Sequence, residues 1–502
     1  MKLIVKNFGA IKESVIDLSK RYYFFVGYNN TGKTYLAKLI YEIFSKETLQ
    51  EFCEQSTSNT SIEENTSTIT LSKVLIENLL DEFSLYLKTV VIPKSLKINA
   101  NSEFILEDLE VKFDFNFEED VENVALETSV TVGINNPTSS EMNKIDIFSV
   151  NKEKKSLDVK LKTLTSEDIY SKLPNDFAKE ITKKGFKEFL NSIKVDVPKR
   201  LTQSILTLLV RNNETPFFLP ANRIFILENA DELVEQDNKR NAEFAKSISE
   251  LLESKNPNIQ NKLGDILARK SESNHTSQIS YLISEISKLR KNKDEDFIRN
   301  GNGFYNDLIK KLEAIMGGEI VMDKAGSISN WAEKFKLSHN GNNEPIQMYL
   351  ASSSINQLGT LYLYLKYWAK AEQNFLMIDQ PEENLHPESQ IKLINLLLEF
   401  GNLNNRVLIT THSPLLAEII NNYLVLGQLK NKSKIANDLR LVDVDLTPED
   451  AGIYYFNGEI VTEHKVGSYG TIFSSFKEAQ DKIYSTGEYL GELMFKQLNK
   501  SK

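Results

Sequence analysis

A phosphate-binding pattern, G-x-x-x-x-G-K-[ST], occupies residues 27–34. Its two glycines allow tight turns, so that successive backbone N–H groups can point at phosphate oxygens. The lysine is placed to reach the β- and γ-phosphates, and the threonine hydroxyl to ligate Mg²⁺. The pattern therefore predicts a site for ATP and Mg²⁺. The residues expected to line it are Gly27, Tyr28, Asn29, Asn30, Thr31, Gly32, Lys33, Thr34 and Tyr35.

The segments on either side of this loop suit that chemistry. Residues 22–26 form an apolar, β-prone run, and residues 35–44 carry apolar side chains at helical spacing. The loop then lies between a buried strand and the N-terminus of a helix, where the helix dipole favours anions. This strand–loop–helix unit predicts an α/β fold.

Composition sets broad limits on the function. The chain has 502 residues, enough for a large core or two to three domains, and a formal net charge of −10. Such a charge argues against a surface that binds nucleic acid indiscriminately. It does not exclude a local basic groove, because net charge does not report how the charges are distributed. No apolar run approaches ~18 residues, and the single cysteine, Cys53, excludes an internal disulfide. We expect a cytoplasmic protein with no membrane partner.

Two later apolar runs end in polar residues. Residues 375–379 end at Asp379, which suits a buried parallel strand that delivers a carboxylate beside Mg²⁺. Thr34 and Asp379 are therefore the predicted metal ligands. Residues 406–411 form a second such strand, which ends before His412.

The order of these motifs is similar to that of a known ATPase group. Residues 379–387, Asp-Gln-Pro-Glu-Glu-Asn-Leu-His-Pro, look like its D-E-P-E-x-x-L-H-P signature, and residues 5–12 resemble its opening segment. The chain thus resembles the ABC-type ATPases of the RecF/SMC/OLD superfamily over roughly residues 1–50 and 301–470. The resemblance implies an ABC-type head, a mixed sheet with a P-loop core and an antiparallel N-terminal sheet, with helical insertions. It also implies a head-to-tail homodimer with two ATP molecules at the interface.

The resemblance assigns roles to further residues. It makes His412 a switch histidine at the γ-phosphate, and it places Gln380 where relatives carry the glutamate that deprotonates the attacking water. Gln380 indicates either a natural slow-hydrolysis switch or a substitution engineered to trap ATP. Because Thr34, Asp379 and His412 are retained, we favour the trap. Glu382 is the alternative base, and His386 completes the signature.

Two other assignments have open alternatives. Ser352, Ser353 and Ser354 match the position of the ABC signature loop, which completes the opposite subunit's site, although the usual glycines are absent. The alternative is an ordinary serine N-cap before a helix at residues 359–371. Arg223 ends a Pro-Ala-x-Arg segment similar to a motif of compact bacterial relatives, and the alternative is an exposed arginine that caps a loop.

The pattern of the chain predicts six segments. From residue 45 to residue 201 the core pattern disappears, which indicates an insertion, and residues 229–296 favour a two-helix arm over helices packed on the core. The predicted segments are 1–48, ATPase lobe with the phosphate loop; 49–205, insertion of helices and antiparallel strands; 206–227, return to the ATPase core; 228–300, helical arm; 301–470, second ATPase lobe; and 471–502, C-terminal helix.

The resemblance also implies a biological setting. About ninety residues follow His412 with no cluster of acidic metal ligands, so we expect the nuclease that continues OLD proteins to be missing. An ATPase of this kind looks like the ATPase subunits of bacterial anti-phage systems of the Septu and PARIS types. It would form an ATP-dependent homodimer or a higher oligomer. That assembly would sense a phage protein or DNA and control a separate effector, a nuclease or toxin.

Two rival functions fit the same motifs. One is a DNA-repair ATPase that clamps DNA in the RecF or SMC manner, which requires a basic stripe and salt-sensitive binding. The other is a scaffold that holds ATP without hydrolysing it. A turnover assay separates the scaffold from the two ATPases.

Overall fold

The computed structural model describes most of the chain, in fifteen stretches. These are residues 1–55, 68–96, 108–115, 129–132, 143–146, 148–153, 156–161, 206, 214–253, 276–292, 294–323, 334–337, 352–467, 470–471 and 473–500. Among them, no helix combines the length and apolarity needed to cross a membrane.

The described strands are numbered in chain order. They are β1 Lys2–Phe8, β2 Ile11–Asp17, β3 Tyr22–Gly27, β4 Thr68–Ser72, β5 Glu110–Asp114, β6 Ser129–Val132, β7 Asn143–Asp146, β8 Phe148–Glu153, β9 Ser156–Leu161, β10 Thr215–Leu219, β11 Ile320–Asp323, β12 Lys334–Leu337, β13 Asn374–Asp379, β14 Arg406–Thr411, β15 Ala451–Phe456 and β16 Ile460–Glu463. Nine of them form one sheet in the order β10-β13-β14-β3-β15-β16-β2-β1-β5.

The described helices are numbered in the same way. They are α1 Lys33–Phe44, α2 Lys46–Gln55, α3 Lys73–Tyr86, α4 Ile92–Leu96, α5 Arg223–Glu253, α6 Ser277–Lys291, α7 Glu295–Asn300, α8 Asn306–Met316, α9 Ser353–Leu363, α10 Pro387–Asn402, α11 Pro414–Gly427, α12 Lys432–Leu439 and α13 Ser474–Lys500. Short π-helical stretches, Leu87–Val91 and Tyr364–Trp368, extend α3 and α9.

The central strands are parallel and buried on both faces. β10, β13, β14, β3 and β15 pair side by side in parallel. Along β3, Tyr22, Phe24 and Val26 enter one hydrophobic cluster, whereas Tyr23 and Phe25 enter the other. This alternation follows from the two-residue period of a strand. It explains why these strands are continuous apolar runs in the sequence.

Helices cover both faces of this sheet. One cluster joins the sheet to α5, α6 and α8–α11, and the other joins it to α1–α4. The site described below lies at the edge between these two layers, where the parallel strands end.

The antiparallel N-terminal sheet that the resemblance implies begins with the pair β1–β2, which turns at Gly9. β2 also pairs in parallel with β16, so the antiparallel part continues the P-loop strands in a single mixed sheet. The predicted α/β class and mixed sheet are thereby confirmed.

The predicted insertion contributes directly to the core. β5 pairs with β1 at the end of the nine-stranded sheet, and Leu49, Phe52, Phe83 and Val111 are buried in one cluster with α1. Each of these elements supplies only a few apolar residues. The sequence therefore contains no long stretch of periodic apolar residues that would predict them. The short helices expected over residues 165–208 lie, apart from residue 206, outside the described residues.

The segment predicted as an arm is docked along part of its length. Ala230 and Leu233 of α5 and Leu282 and Ile286 of α6 are buried in the hydrophobic cluster on one face of the sheet. This packing matches the alternative of helices laid on the core. Beyond residue 234, the side chains of α5 that the structure describes are exposed or half-buried.

Candidate functional site

Three adjacent parallel strands bring the predicted residues to one edge. β13, β14 and β3 are neighbours, and each ends at the same side of the sheet. Asp379 ends β13, His412 follows β14, and the phosphate-binding loop follows β3. Carboxyl ends of parallel strands are the usual place for ligand sites in such sheets.

The two glycines of the loop are required by its geometry. Gly27 has φ 145°, and a Cβ there would lie 2.2 Å from the Phe456 carbonyl oxygen at the end of β15. Gly32 has φ 91°, and a Cβ there would lie 2.8 Å from Ile11. A side chain at either position would push the loop away from the sheet and open the phosphate cradle.

Lys33 is buried within the phosphate-binding loop. Its Nζ donates to the Gly27 carbonyl at 3.0 Å and to the Tyr28 carbonyl. Burial lowers the pKa of Lys33 to about 8, against the opposing effect of Asp379 and Glu382. A phosphate would stabilise the charged form of this lysine, so anion binding is favoured.

The predicted metal ligands lie in direct contact. Thr34 Oγ1 lies 2.9 Å and 3.0 Å from the two carboxylate oxygens of Asp379. The Thr410 hydroxyl, from the intervening strand β14, donates to the same carboxylate. A hydroxyl and a buried carboxylate fit Mg²⁺, which prefers oxygen ligands and keeps several water molecules. Within the described residues, no group of three or more His, Cys, Asp or Glu could hold a metal alone.

Gln380 follows Asp379 in an unusual backbone conformation. Its φ is 49°, which non-glycine residues rarely adopt. The Gln380 N–H donates to the Thr410 carbonyl at 3.0 Å, and its carbonyl accepts from Glu383 N at 3.3 Å. The Gln380 side chain is half-buried, and hydrogen bonds hold its backbone directly beside Asp379 and Thr410.

Glu382 and His412 are joined across the two strands. Glu382 Oε1 accepts from Thr411 Oγ1 at 2.6 Å and from His412 N at 3.3 Å. Glu382 therefore contacts the end of β14 and the residue that follows it, His412. The Nδ1 of His412 is buried and makes no hydrogen bond within the described structure.

Arg223 is buried, with 2% of its surface exposed, so the alternative of an exposed loop cap is wrong. It lies at the start of α5, and its guanidinium donates to four backbone carbonyls. These are Gln357 at 3.1 Å, Pro220 at 3.0 Å, Asp379 at 2.9 Å and Gln380 at 3.3 Å. Burial lowers its pKa to about 10, with Glu383, Asp379 and Glu382 opposing. Arg223 therefore ties α9 to the end of β13.

The three serines occupy the start of α9. The helix begins at Ser353, earlier than the predicted residue 359, because Ser352 takes the extended N-cap conformation. The Ser352 side chain makes no capping hydrogen bond, and its Oγ lies 2.9 Å from Ser354 Oγ. Ser352 and Ser353 are exposed at the surface.

The remaining predicted residues flank the site or lie apart from it. Tyr28, Asn29 and Asn30 are exposed on the loop, and Tyr35 is exposed one turn into α1. Thr31 donates to the Tyr28 carbonyl at 2.8 Å and closes the loop. His386 is an exposed N-cap of α10, where its Nδ1 accepts from Glu388 N at 3.3 Å.

Sequence reasoning missed the two threonines that connect the strands. Thr410 and Thr411 bind Asp379 and Glu382 respectively. The signal was present as two hydroxyl residues at the end of an apolar run, directly before His412. Their partners depend on the register in which Asp379 faces Thr410.

Comparison with known families gives one match that spans most of the chain. Residues 1–417 match the family described as AAA ATPase domain. No curated protein sequence matches the chain.

Two solved structures are similar over nearly their whole length. One is the Smc head domain with an extended coiled coil bound to the C-terminal domain of ScpA, derived from Pyrococcus furiosus. It is 11% identical with a TM-score of 0.33, covering 96% of this chain and 98% of that chain. The other is the SmcHead bound to the C-winged helix domain of ScpA, 11% identical with a TM-score of 0.34, covering 93% and 98%.

Proposed function

The chain belongs to the AAA ATPase domain family, and from this we propose that it binds ATP with Mg²⁺ and hydrolyses it at the edge formed by β3, β13 and β14. The observation that carries the proposal is the contact of Thr34 with Asp379. These residues are far apart in sequence, yet they meet at 2.9 Å next to the buried Lys33.

Each group of the site has a distinct task in this proposal. The loop N–H groups and Lys33 hold the phosphates. The turns at Gly27 and Gly32 keep the loop against the sheet in the shape that cradles them. Thr34 and Asp379 would hold Mg²⁺, which neutralises charge on the phosphates. Gln380 orients a water through its amide but cannot accept the proton. His412, which directly follows β14 at the same edge, would contact the γ-phosphate.

Replacing Asp379 tests this assignment. Asp379→Asn keeps the shape of the side chain and removes its charge, so we expect ATP turnover to fall at least about a hundredfold. Asp443→Asn, an exposed residue away from the edge, is the matched control and should keep full turnover. Equal turnover in Asp379→Asn and in the unsubstituted chain would remove Asp379 from the site.

A finer part of the proposal concerns assembly and biological role. We propose that the ATPase acts as an ATP-dependent homodimer, in which Ser352–Ser354 complete the partner's site. In anti-phage defence it would control a separate effector, a nuclease or toxin. The exposure of Ser352 and Ser353 supports the first point. The sequence resemblance and the net charge of −10, which suits a protein partner, support the second.

The biological role has its own test. The chain and its neighbouring genes are expressed together, and cells are challenged with phage. We expect one neighbouring product to co-purify with the chain and protection to need both proteins. Protection by this chain alone would contradict control of a separate effector.

A further inference from the structure

The last helix, α13, projects from the body of the protein. Its base is fixed by aromatic contacts, since the buried Phe473 stacks on His464 with ring centres 5.6 Å apart and also contacts Phe476. From residue 481 to residue 497, every side chain is exposed. At 1.5 Å per residue this free part extends roughly 25 Å.

This projecting helix carries large apolar side chains on one face. Residues three, four, seven or eleven positions apart share a face of an α-helix. By this spacing, one face holds Ile483, 70% exposed; Tyr484, 71%; Leu490, 58%; Met494, 61%; and Phe495, 68%. Lys482 and Lys496 lie on the opposite side of the helix, and Asp481, Glu488 and Glu492 border the edge of the face formed by Tyr484 and Phe495.

Two glycines lie in the middle of the apolar face. Gly487 and Gly491 are one turn apart, and a Cβ at either would meet nothing within 4 Å. Glycine is a poor helix former, so these two residues destabilise a helix that is exposed to solvent. Small residues one turn apart do allow the backbone of a second helix to approach closely.

We propose that α13 is a self-association surface, on which the same helix of a second copy of this chain packs. The inference is independent of nucleotide and goes beyond the proposed ATP-driven dimer.

The size of the face suits a second copy. A large side chain offers about 200 Å² when fully exposed, so the five side chains together present on the order of 650 Å². A standard interface takes roughly 800 Å² from each partner, so α13 supplies most of one. A two-fold pair would cover both copies of the face at once.

The charge of the helix argues for the same occupant. Residues 474–500 contain four lysines and four carboxylates, which leaves no net charge. A helix that binds anionic membranes is rich in lysine and arginine on its polar face, and one that binds nucleic acid is basic. A helix with no net charge and with both signs of charge can pack against an identical helix without net charge repulsion.

The mass of the full chain without nucleotide tests the proposal. Light scattering coupled to size exclusion should give a dimer or a higher oligomer, and Lys33→Ala should give the same mass. Leu490→Glu should reduce the mass to that of the monomer, because it places a charge within the apolar face. Tyr489→Glu, the adjacent exposed residue on the other side of the helix, is the matched control and should keep the oligomer.

A second pair of variants tests the role of the glycines. Gly491→Leu adds apolar surface but fills the groove, so we expect weaker association by at least about tenfold in Kd. Gly487→Cys should form a disulfide-linked pair on mild oxidation, whereas Glu492→Cys should not.

Two results would overturn the proposal. One is a monomeric nucleotide-free chain, which would mean that another segment of the chain, a membrane or a different protein covers the face. The other is an oligomer that Leu490→Glu leaves intact. Neither result bears on ATP binding, which is measured separately.

Discussion

We expect Gln380 to limit the rate of the proposed reaction. A carboxylate at this position can take the proton of the attacking water, and general-base catalysis supplies ~10²–10⁴-fold. We therefore expect Gln380→Glu to raise steady-state ATP turnover at least about tenfold. Gln373→Glu, exposed just before the other end of β13, adds the same charge and should change nothing. If the unsubstituted chain already turns over at the rate of Gln380→Glu, another residue is the base.

Single side chains were predictable where chemistry fixes local spacing. The loop from Gly27 to Thr34 has a fixed pattern, and Asp379 ends an apolar run that suits a buried parallel strand. The partners of Glu382 could not be predicted in this way. Its contact with Thr411 depends on how β13 and β14 align, and the two residues are far apart in the chain.

Arg223 links three elements whose geometry the site depends on. Lysine at this position could not reach four carbonyls from its single ammonium group, and a buried carbonyl left without a donor costs about 1–3 kcal/mol. We expect Arg223→Lys to lower the free energy of unfolding by about 2 kcal/mol, measured by urea denaturation. Arg21→Lys, a partly exposed arginine paired with Asp450, should cost under about 1 kcal/mol. A cost for Arg223→Lys no larger than that of the control would contradict this role.

The start of α9 is the element on which the composite-site proposal depends. Ser353→Arg places a bulky cation at an exposed helix end, so it should block a partner without disturbing the chain's own loop. We expect ATP affinity to stay within about twofold and turnover to fall at least about tenfold. Ser433→Arg, on the exposed face of α12, is the control. Turnover per chain that is independent of protein concentration and of Ser353→Arg would exclude a shared site.

Elements with strong periodicity were predictable, and those defined by packing were not. β3, β13 and β14 appear in the sequence as apolar runs, because both of their faces are buried. α5 begins at Arg223 and docks its first turns on the core, although the charged sequence that follows them favours an arm. The local sequence pattern does not predict which part of a long helix packs against the rest of the protein.

The fold brings distant segments into one sheet with two layers of helices. The hairpin β1–β2 and strand β5 extend the same sheet that carries the phosphate loop. The α/β class, the mixed sheet and the order of motifs followed from the sequence and its resemblance. The position of β5 beside β1 required the long-range pairing itself, because strand order depends on contacts far apart in the chain.

The binding of Mg·ATP to the whole chain, measured by titration calorimetry, tests the nucleotide site most directly. We expect one ATP per chain, and no measurable binding to Lys33→Ala, since Lys33 supplies the buried positive charge of the loop. Lys12→Ala, an exposed lysine, should bind as the unsubstituted chain does. Equal affinity in Lys33→Ala, in protein that melts at the same temperature, would contradict the assignment of this edge as an ATP site.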